Sequence, residues 1–174
     1  MKSLVDHLSQ YAAYHRDPRN IASHFVGIPL IVVAVAVLLS RPEWSLAGAW
    51  VSPAVLLALA SAWFYLRLEL RLGVLMTGLL GLSVWVGHVL AQQSTFVWLA
   101  SGIGMFVVGW AIQFVGHHYE GRKPAFVDDV TGLIVGPLFV VVELAFLLGM
   151  RRELKEQIEA RVGGVRLRQK NAAA

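Results

Sequence analysis

The sequence predicts an all-α fold, a polytopic membrane helix bundle, on three observations. Of the 174 residues, 57% are hydrophobic and 15% are charged, whereas soluble domains usually have about 45–50% apolar and about 25% charged residues. Apolar runs long enough to cross a bilayer, at about 20 residues each, recur along the chain. Cysteine is absent, which excludes disulfide scaffolds, thiolate metal sites and iron–sulfur clusters.

A short amphipathic helix is predicted over residues 3–15, ahead of the first membrane span. Ser3 and Asp6 resemble a capping box at its start, and Pro18 ends it, because proline disfavours helical geometry in the preceding residue. Asn20 is the predicted N-cap of the next helix. The apolar face of the short helix is formed at helical spacing by Leu4, Leu8, Tyr11 and His15.

About four apolar segments are predicted to cross the membrane. A fifth apolar stretch, residues 130–150, is interrupted by glycines, Pro137 and Glu143, and we expect it to bend back as a broken helix or hairpin. One integral-membrane domain is therefore predicted over 1–171, and the terminal alanines 172–174 resemble a cloning remnant. The four predicted spans cover residues 21–40, 50–66, 72–91 and 95–116.

Basic residues in the predicted loops indicate the orientation, since lysine and arginine concentrate on the cytoplasmic side. With a cytoplasmic N-terminus, the opposite side holds only Arg41. We expect an integral protein of a bacterial inner membrane, surrounded by lipid, with both termini cytoplasmic. No basic stretch is interleaved with aromatic residues, so no nucleic-acid partner is predicted. The cytoplasmic basic residues would be Lys2, Arg16, Arg19, Arg67, Arg71, Arg122 and Lys123.

Histidines from two distant segments are predicted to meet at one membrane level. In this topology His15 and His24 lie at the cytoplasmic mouth of the first span, and His117 and His118 lie at the cytoplasmic end of the fourth. Imidazole suits iron, zinc and copper, and polar groups within a membrane are functional candidates. The alternative is that they are interfacial histidines bonded to headgroups or water.

The fourth span has a polar face formed by Gln113, His117 and Glu120, spaced at i, i+4 and i+7. We expect Glu120 to fix the tautomer of the His117 ring. His118 is turned by about 100° from His117 on a regular helix, so both can bind one ion only where the helix unwinds. Glu143 either partners a histidine or faces a water-filled groove, and the sequence leaves both open.

Two motifs stand at the ends of the first and fourth predicted spans. The first is Tyr14-His15-Arg16-Asp17-Pro18-Arg19-Asn20 with Ser23-His24 and Gly27-Ile28-Pro29, and the second is Gln113-Phe114-Val115-Gly116-His117 with Glu120-Gly121-Arg122 and Pro124-Ala125. Together they resemble the motifs of the Mpo1-like family, and the resemblance covers nearly the whole chain. It implies an Fe(II)-dependent dioxygenase that shortens 2-hydroxy fatty acids by one carbon with O2, with iron held by histidines. By position it assigns His15, His24 and His117 as iron ligands and His118 as a candidate fourth.

The residues fit the chemistry that this resemblance implies. Three or four neutral imidazoles leave open positions on Fe(II), which a 2-hydroxy carboxylate can chelate. The polar candidates for catalysis are Glu120, Asn20 and Gln113. The cations that can attract the substrate carboxylate are Arg19, Arg122 and Lys123, whose alternative role is orientation and contact with anionic lipid.

The sequence is also compatible with two other classes of function. One is a small membrane transporter or a structural membrane protein whose histidines bind no metal. Such a transporter needs a polar path across the bilayer, and the predicted spans offer little besides His88 and Glu143. The other is haem binding through paired histidines, which spacing alone does not distinguish from a mononuclear iron site. His88 is expected to be a packing or hydrogen-bonding residue.

Overall fold

The computed structural model describes residues 2–168, which are mostly helical and confirm the predicted all-α membrane class. A 3-10 turn, Ala125–Val127, precedes the sixth helix, and a small antiparallel hairpin, β1 Trp44–Leu46 with β2 Ala49–Val51, follows the second. The predicted cloning remnant, 172–174, lies outside the described residues. The α-helices within that range are α1 Leu4–Ala12, α2 Pro18–Leu38, α3 Pro53–Leu68, α4 Leu70–Ala91, α5 Thr95–Glu120, α6 Gly132–Leu147 and α7 Arg152–Val162.

Three of these helices, α2, α4 and α5, are long and apolar enough to cross a membrane. Helix α3 has 16 residues and is shorter than the about 20 that a bilayer requires. Helices α6 and α7 qualify as one span only as a pair bent by 115°. The four predicted spans therefore correspond, within residues 2–168, to three full-length helices and one shorter apolar helix.

Two helices begin at the capping residues that the sequence indicates, and one predicted N-cap is wrong. The Ser3 side chain and Asp6 form the predicted capping box. Helix α3 begins at Pro53 with Ser52 as its N-cap, because the preceding residues belong to the hairpin rather than to the predicted span. The assignment of Asn20 as an N-cap is wrong. Helix α2 begins before it, and a carboxylate oxygen of Asp17 accepts from the Arg19 amide at 2.9 Å.

The last apolar stretch is broken, as predicted, but after Gly132, Gly136 and Pro137 rather than at them. Helix α6 continues through Pro137, and the chain then turns at Gly149 and Arg151, whose φ angles are 74° and 58°. Glycine adopts positive φ without a steric penalty. The turn brings α7 back to the N-terminal helix, where Arg161 contacts the Asp6 carboxylate at 2.7 Å.

The chain divides into two compact units, one of residues up to Ile28 together with those from Ala111 onward, the other Pro29–Trp110. In the second unit, Glu69 both ends α3 and caps α4, which makes a tight helical hairpin. The predicted packing role of His88 is confirmed there. Its Nδ1 lies 2.7 Å from a carboxylate oxygen of Glu43, and its ring stacks on Trp50 at 4.2 Å.

Candidate metal centre

Three buried histidines of the first unit face one another. His15 follows α1, His24 lies in the second turn of α2, and His117 lies in the last turn of α5. Their ring centroids are 4.4, 5.0 and 5.2 Å apart, and one ring nitrogen from each lies within 4.8 Å of the others. The residues are 0%, 1% and 6% exposed. Segments about a hundred residues apart in sequence thus meet in one cluster.

A close approach of α2 and α5 brings His24 and His117 together. Gly116 makes this approach possible, because a Cβ at that position would lie 2.0 Å from Ser23 Oγ and 2.6 Å from Asn20 Oδ1. A larger residue would require the side chains of Ser23 and Asn20 to move. The glycine beside the polar face of α5 therefore marks the side on which that helix meets a neighbour.

Hydrogen bonds to the backbone fix the tautomers of two rings. His15 Nδ1 lies 2.7 Å from the Tyr11 carbonyl, and His24 Nδ1 lies 2.8 Å from the Asn20 carbonyl. A carbonyl oxygen only accepts, so each Nδ1 carries the proton and each neutral ring keeps a lone pair on Nε2. Burial, and next the neighbouring His24 ring, lower the pKa of His15 well below its ordinary value. That ring is therefore neutral, the form that binds metals.

The donor atoms of the cluster fit a metal ion. His15 Nε2 and His117 Nδ1 are buried and have no hydrogen-bond partner in the part of the chain that the structure describes. Leaving a buried polar atom without a partner costs about 1–3 kcal/mol, which coordination to a metal would offset. Neutral imidazoles suit iron, zinc and copper. The three histidines can therefore hold one such ion.

Two aromatic side chains enclose the cluster on one side. The Tyr11 ring stacks on the His15 ring at 4.1 Å, nearly parallel, and Phe139 of α6 lies 5.5 Å from His15. Sequence reasoning assigned neither residue to the site. The sequence could have indicated Tyr11, because it precedes His15 by one turn on the same apolar face. Phe139 lies among many similar apolar residues of the stretch 130–150, and nothing in the sequence distinguishes it from them. Together they exclude water from that side of the cluster.

The Glu120 carboxylate holds the loop that carries His15. It accepts from the backbone amides of Arg16 at 3.0 Å and Asp17 at 2.9 Å, and from the side-chain amide of Asn20 at 3.0 Å. These bonds replace the expected one to the His117 ring, since a carboxylate satisfied by two backbone amides and a side chain is already occupied. Glu120 is thus a positioning residue that joins the end of α5 to the loop before α2.

The other predicted site residues of α5 have different surroundings. Gln113 is buried one turn before His117, and its Nε2 has no partner among residues 2–168. His118 is exposed and does not join the cluster, because α5 stays regular to Glu120 and turns that ring away. The cluster therefore contains three histidines of the four that the sequence proposed as ligands.

The cations predicted to attract a carboxylate are already engaged with the protein. Arg19 donates through two nitrogens to Asp17, at 3.0 and 2.8 Å. Lys123 is paired with Asp128 on the surface. The Arg122 guanidinium donates to the Ala13 carbonyl at 2.7 Å, which leaves its other nitrogens available.

Neither of the two roles considered for Glu143 is observed. Its carboxylate lies 3.7 Å from the guanidinium of Arg16, and both side chains are largely buried. The buried acid of α6 therefore partners the arginine next to His15 rather than a histidine.

Comparisons with known proteins agree with this site. The family model described as 2-hydroxy-palmitic acid dioxygenase Mpo1-like matches residues 1–148, a range that contains all three clustered histidines. The chain is 31% identical over 163 residues to the 2-hydroxy-palmitic acid dioxygenase MPO1 of Saccharomyces cerevisiae, covering 91% of this chain and 90% of that protein. No solved structure matches. The chain belongs to the Mpo1-like family.

Proposed function

We propose that this member of the Mpo1-like family is a membrane dioxygenase that removes one carbon from a 2-hydroxy fatty acid, with ferrous iron held by His15, His24 and His117. The observation that carries the proposal is the cluster of three buried imidazoles, two of which, His15 and His117, have a buried ring nitrogen without a hydrogen-bond partner in the described residues. The name of the yeast relative supplies the substrate class.

In the proposed reaction the bond between C1 and C2 of the substrate breaks. C2 is oxidised from an alcohol to a carboxylic acid, C1 leaves as carbon dioxide, and O2 accepts the four electrons and ends in the new carboxyl group and in water. One 2-hydroxy acid and one O2 therefore account for all the atoms and electrons of the products, and no second organic acid is needed as a co-substrate. When bound, ferrous iron supplies the one-electron chemistry that makes O2 reactive towards such a substrate.

The residues of the chain prepare the site for this reaction. Backbone carbonyls hold the rings of His15 and His24 in the ligand tautomer, and Tyr11 and Phe139 keep water from one side. The cluster lies near the first residues of α2 and the last residues of α5, both long enough to span a membrane. A carboxylate at that level leaves its acyl chain in the bilayer, which accounts for a membrane-embedded enzyme.

Metal analysis together with a turnover assay tests the proposal. After anaerobic reconstitution with Fe(II), detergent-purified protein should bind about one iron per chain without a haem absorption band, and should consume O2 with 2-hydroxypalmitate. His24→Ala should lose both properties, because two imidazoles remain and water competes for the open position. His88→Ala, in the other unit, should retain both.

Three results would contradict the proposal. Iron content that is equal in wild type and His24→Ala would place the metal elsewhere. A haem band would favour the alternative cofactor, and stoichiometric iron without turnover of any 2-hydroxy acid would remove the proposed reaction.

A further inference from the structure

A cavity lined mainly by arginines lies in the first unit, separate from the three histidine rings. Its volume is about 460 Å³. Part of its wall comes from residues after 148, beyond the range matched by the family model, so the cavity combines the shared fold with a further C-terminal segment. The charged residues that line it are Arg16, Glu120, Arg122, Arg161, Arg166 and Arg168.

Backbone hydrogen bonds hold the C-terminal segment, residues 163–168, along the loop that follows α1. The Arg166 amide donates to the Arg16 carbonyl at 2.9 Å, and the Arg168 amide donates to the Asp17 carboxylate at 3.0 Å. The Arg16 guanidinium in turn donates to the Gly163 carbonyl at 2.9 Å. The Arg168 guanidinium lies against Gly121, where a side chain would collide with it. The segment is therefore attached at several points.

Arginines outnumber carboxylates in the lining of this cavity. Arg16 and Arg161 have carboxylate partners, Glu143 at 3.7 Å and Asp6 at 2.7 Å. In the stretch from residue 2 to residue 168, no carboxylate lies within salt-bridge distance of the other three guanidiniums, those of Arg122, Arg166 and Arg168.

Glu120, which also lines the cavity, adds one negative charge but forms no salt bridge with these guanidiniums within the described residues. Its carboxylate already accepts hydrogen bonds from two backbone amides and from the side chain of Asn20. The cavity is thus lined by three arginines without a carboxylate partner in residues 2–168 and by a single glutamate, and this excess of positive charge favours an anion.

We propose that this cavity binds a phosphate group. Its tetrahedral oxygens can accept hydrogen bonds from guanidiniums that approach from several directions, and arginine binds phosphate with two parallel bonds. A carboxylate offers only two oxygens in one plane, which one or two guanidiniums already satisfy. The cavity is also larger than a carboxylate requires.

The phosphate group can belong to an anionic phospholipid or to a soluble phosphate compound. Val165 and Leu167 are 42% and 62% exposed and alternate along the chain with Arg166 and Arg168. Apolar side chains interleaved with cations are typical of a segment at the surface of an anionic membrane. We therefore expect a lipid headgroup to be the source.

Thermal unfolding of the full-length protein in detergent tests this site without depending on turnover or iron. Wild-type protein is titrated with short-chain phosphatidylglycerol, and in a parallel arm with sodium phosphate, and the midpoint of unfolding is followed. Phosphatidylglycerol should raise the midpoint saturably. The double variant Arg166→Gln/Arg168→Gln should bind about tenfold more weakly or worse, since hydrogen bonds to charged groups are lost.

Two further variants control for the loss of charge and for misfolding. Arg152→Gln/Lys155→Gln removes the same charge from α7 outside the cavity and should bind like wild type. Arg122→Gln changes the opposite wall and should weaken binding even if the double variant does not fold. Saturation by sodium phosphate alone, with the same dependence on the variants, would assign a soluble phosphate compound as the source.

Two outcomes overturn the proposal. One is equal affinity for phosphatidylglycerol in wild type, in Arg122→Gln and in the double variant. The other is displacement of the lipid by an equal concentration of palmitate, which would assign the cavity to a carboxylate.

Discussion

Single residues show how a membrane protein can bury three histidines next to one another. His15 and His24 each donate through Nδ1 to a carbonyl four residues earlier, that of Tyr11 or Asn20. The Tyr11 carbonyl lies in the last turn of α1, where carbonyls lack partners within the helix. Each bond satisfies one ring nitrogen at little cost and leaves the other nitrogen for a metal. Local helix geometry thus prepares the two rings before α5 supplies the third.

The number of ligands is testable on neighbouring residues of α5. His117→Ala should abolish binding of Co(II), used as a coloured substitute for iron, because it removes one of three imidazoles. His118→Ala should bind Co(II) with an unchanged visible spectrum, since that side chain is exposed and faces away from the cluster. Absorption titration measures both variants. Loss of Co(II) binding in His118→Ala would mean that the end of α5 opens to admit a fourth ligand.

At the scale of elements, the loop between α1 and α2 has a central role, because it carries His15 without belonging to either helix. Its amides at Arg16 and Asp17 are held by Glu120 of α5. The C-terminal segment contacts the same two residues from elsewhere in the chain. The position of His15, a proposed metal ligand, therefore depends on hydrogen bonds from segments that are distant in sequence.

Removing the Glu120 carboxylate should loosen this loop without touching a ligand. We expect Glu120→Ala to bind Fe(II) about 10–100-fold more weakly, the usual effect of losing a group that orients metal ligands. Hydrogen exchange at the amides of Arg16 and Asp17 should accelerate in the same variant, which separates a positioning role from a direct one. Glu156→Ala, on the exposed surface of α7, is the control. Unchanged exchange and affinity in Glu120→Ala would remove this role.

The elements differ in how far the sequence could predict them. The apolar runs predicted α2, α4 and α5, because a bilayer requires long apolar helices. The charges of the loops predicted that His15, His24 and His117 lie at one membrane level, because basic residues concentrate on one side of a membrane. The turn at Gly149 and Arg151 was not predictable, since Pro137 looked like the stronger break and yet lies inside α6. Tertiary packing decides such cases.

The partners of the two carboxylates near the site were less predictable than the clustering of the three histidines. Glu120 was expected to bond to His117 but binds backbone amides, and Glu143 was expected at a histidine or a groove but pairs with Arg16. A carboxylate can pair with any donor that the fold brings near it. Spacing along one helix shows which side chains share a face, and it contains no information about the partner on the other element.

For the whole molecule, two contacts join the N-terminal and C-terminal parts of the described chain. Arg161 pairs with Asp6, and Arg166 donates to the Arg16 carbonyl. Segments joined by such contacts lie on the same side of any membrane. We therefore expect the α6–α7 pair, bent by 115°, to return to the side of the membrane from which it started.

Labelling of single cysteines tests this topology directly, because the chain contains no cysteine of its own. Lys2→Cys at the N-terminus and Glu156→Cys on α7 should react with a membrane-impermeant maleimide only after the cells are permeabilised, since the positive-inside rule places both in the cytoplasm. Gln93→Cys, exposed between α4 and α5, should react in intact cells. Labelling of Glu156→Cys in intact cells, with Lys2→Cys still protected, would require α6 and α7 to cross the bilayer. That result could not coexist with the contact between Arg161 and Asp6, so the experiment tests the fold of the C-terminal segment as well as its orientation.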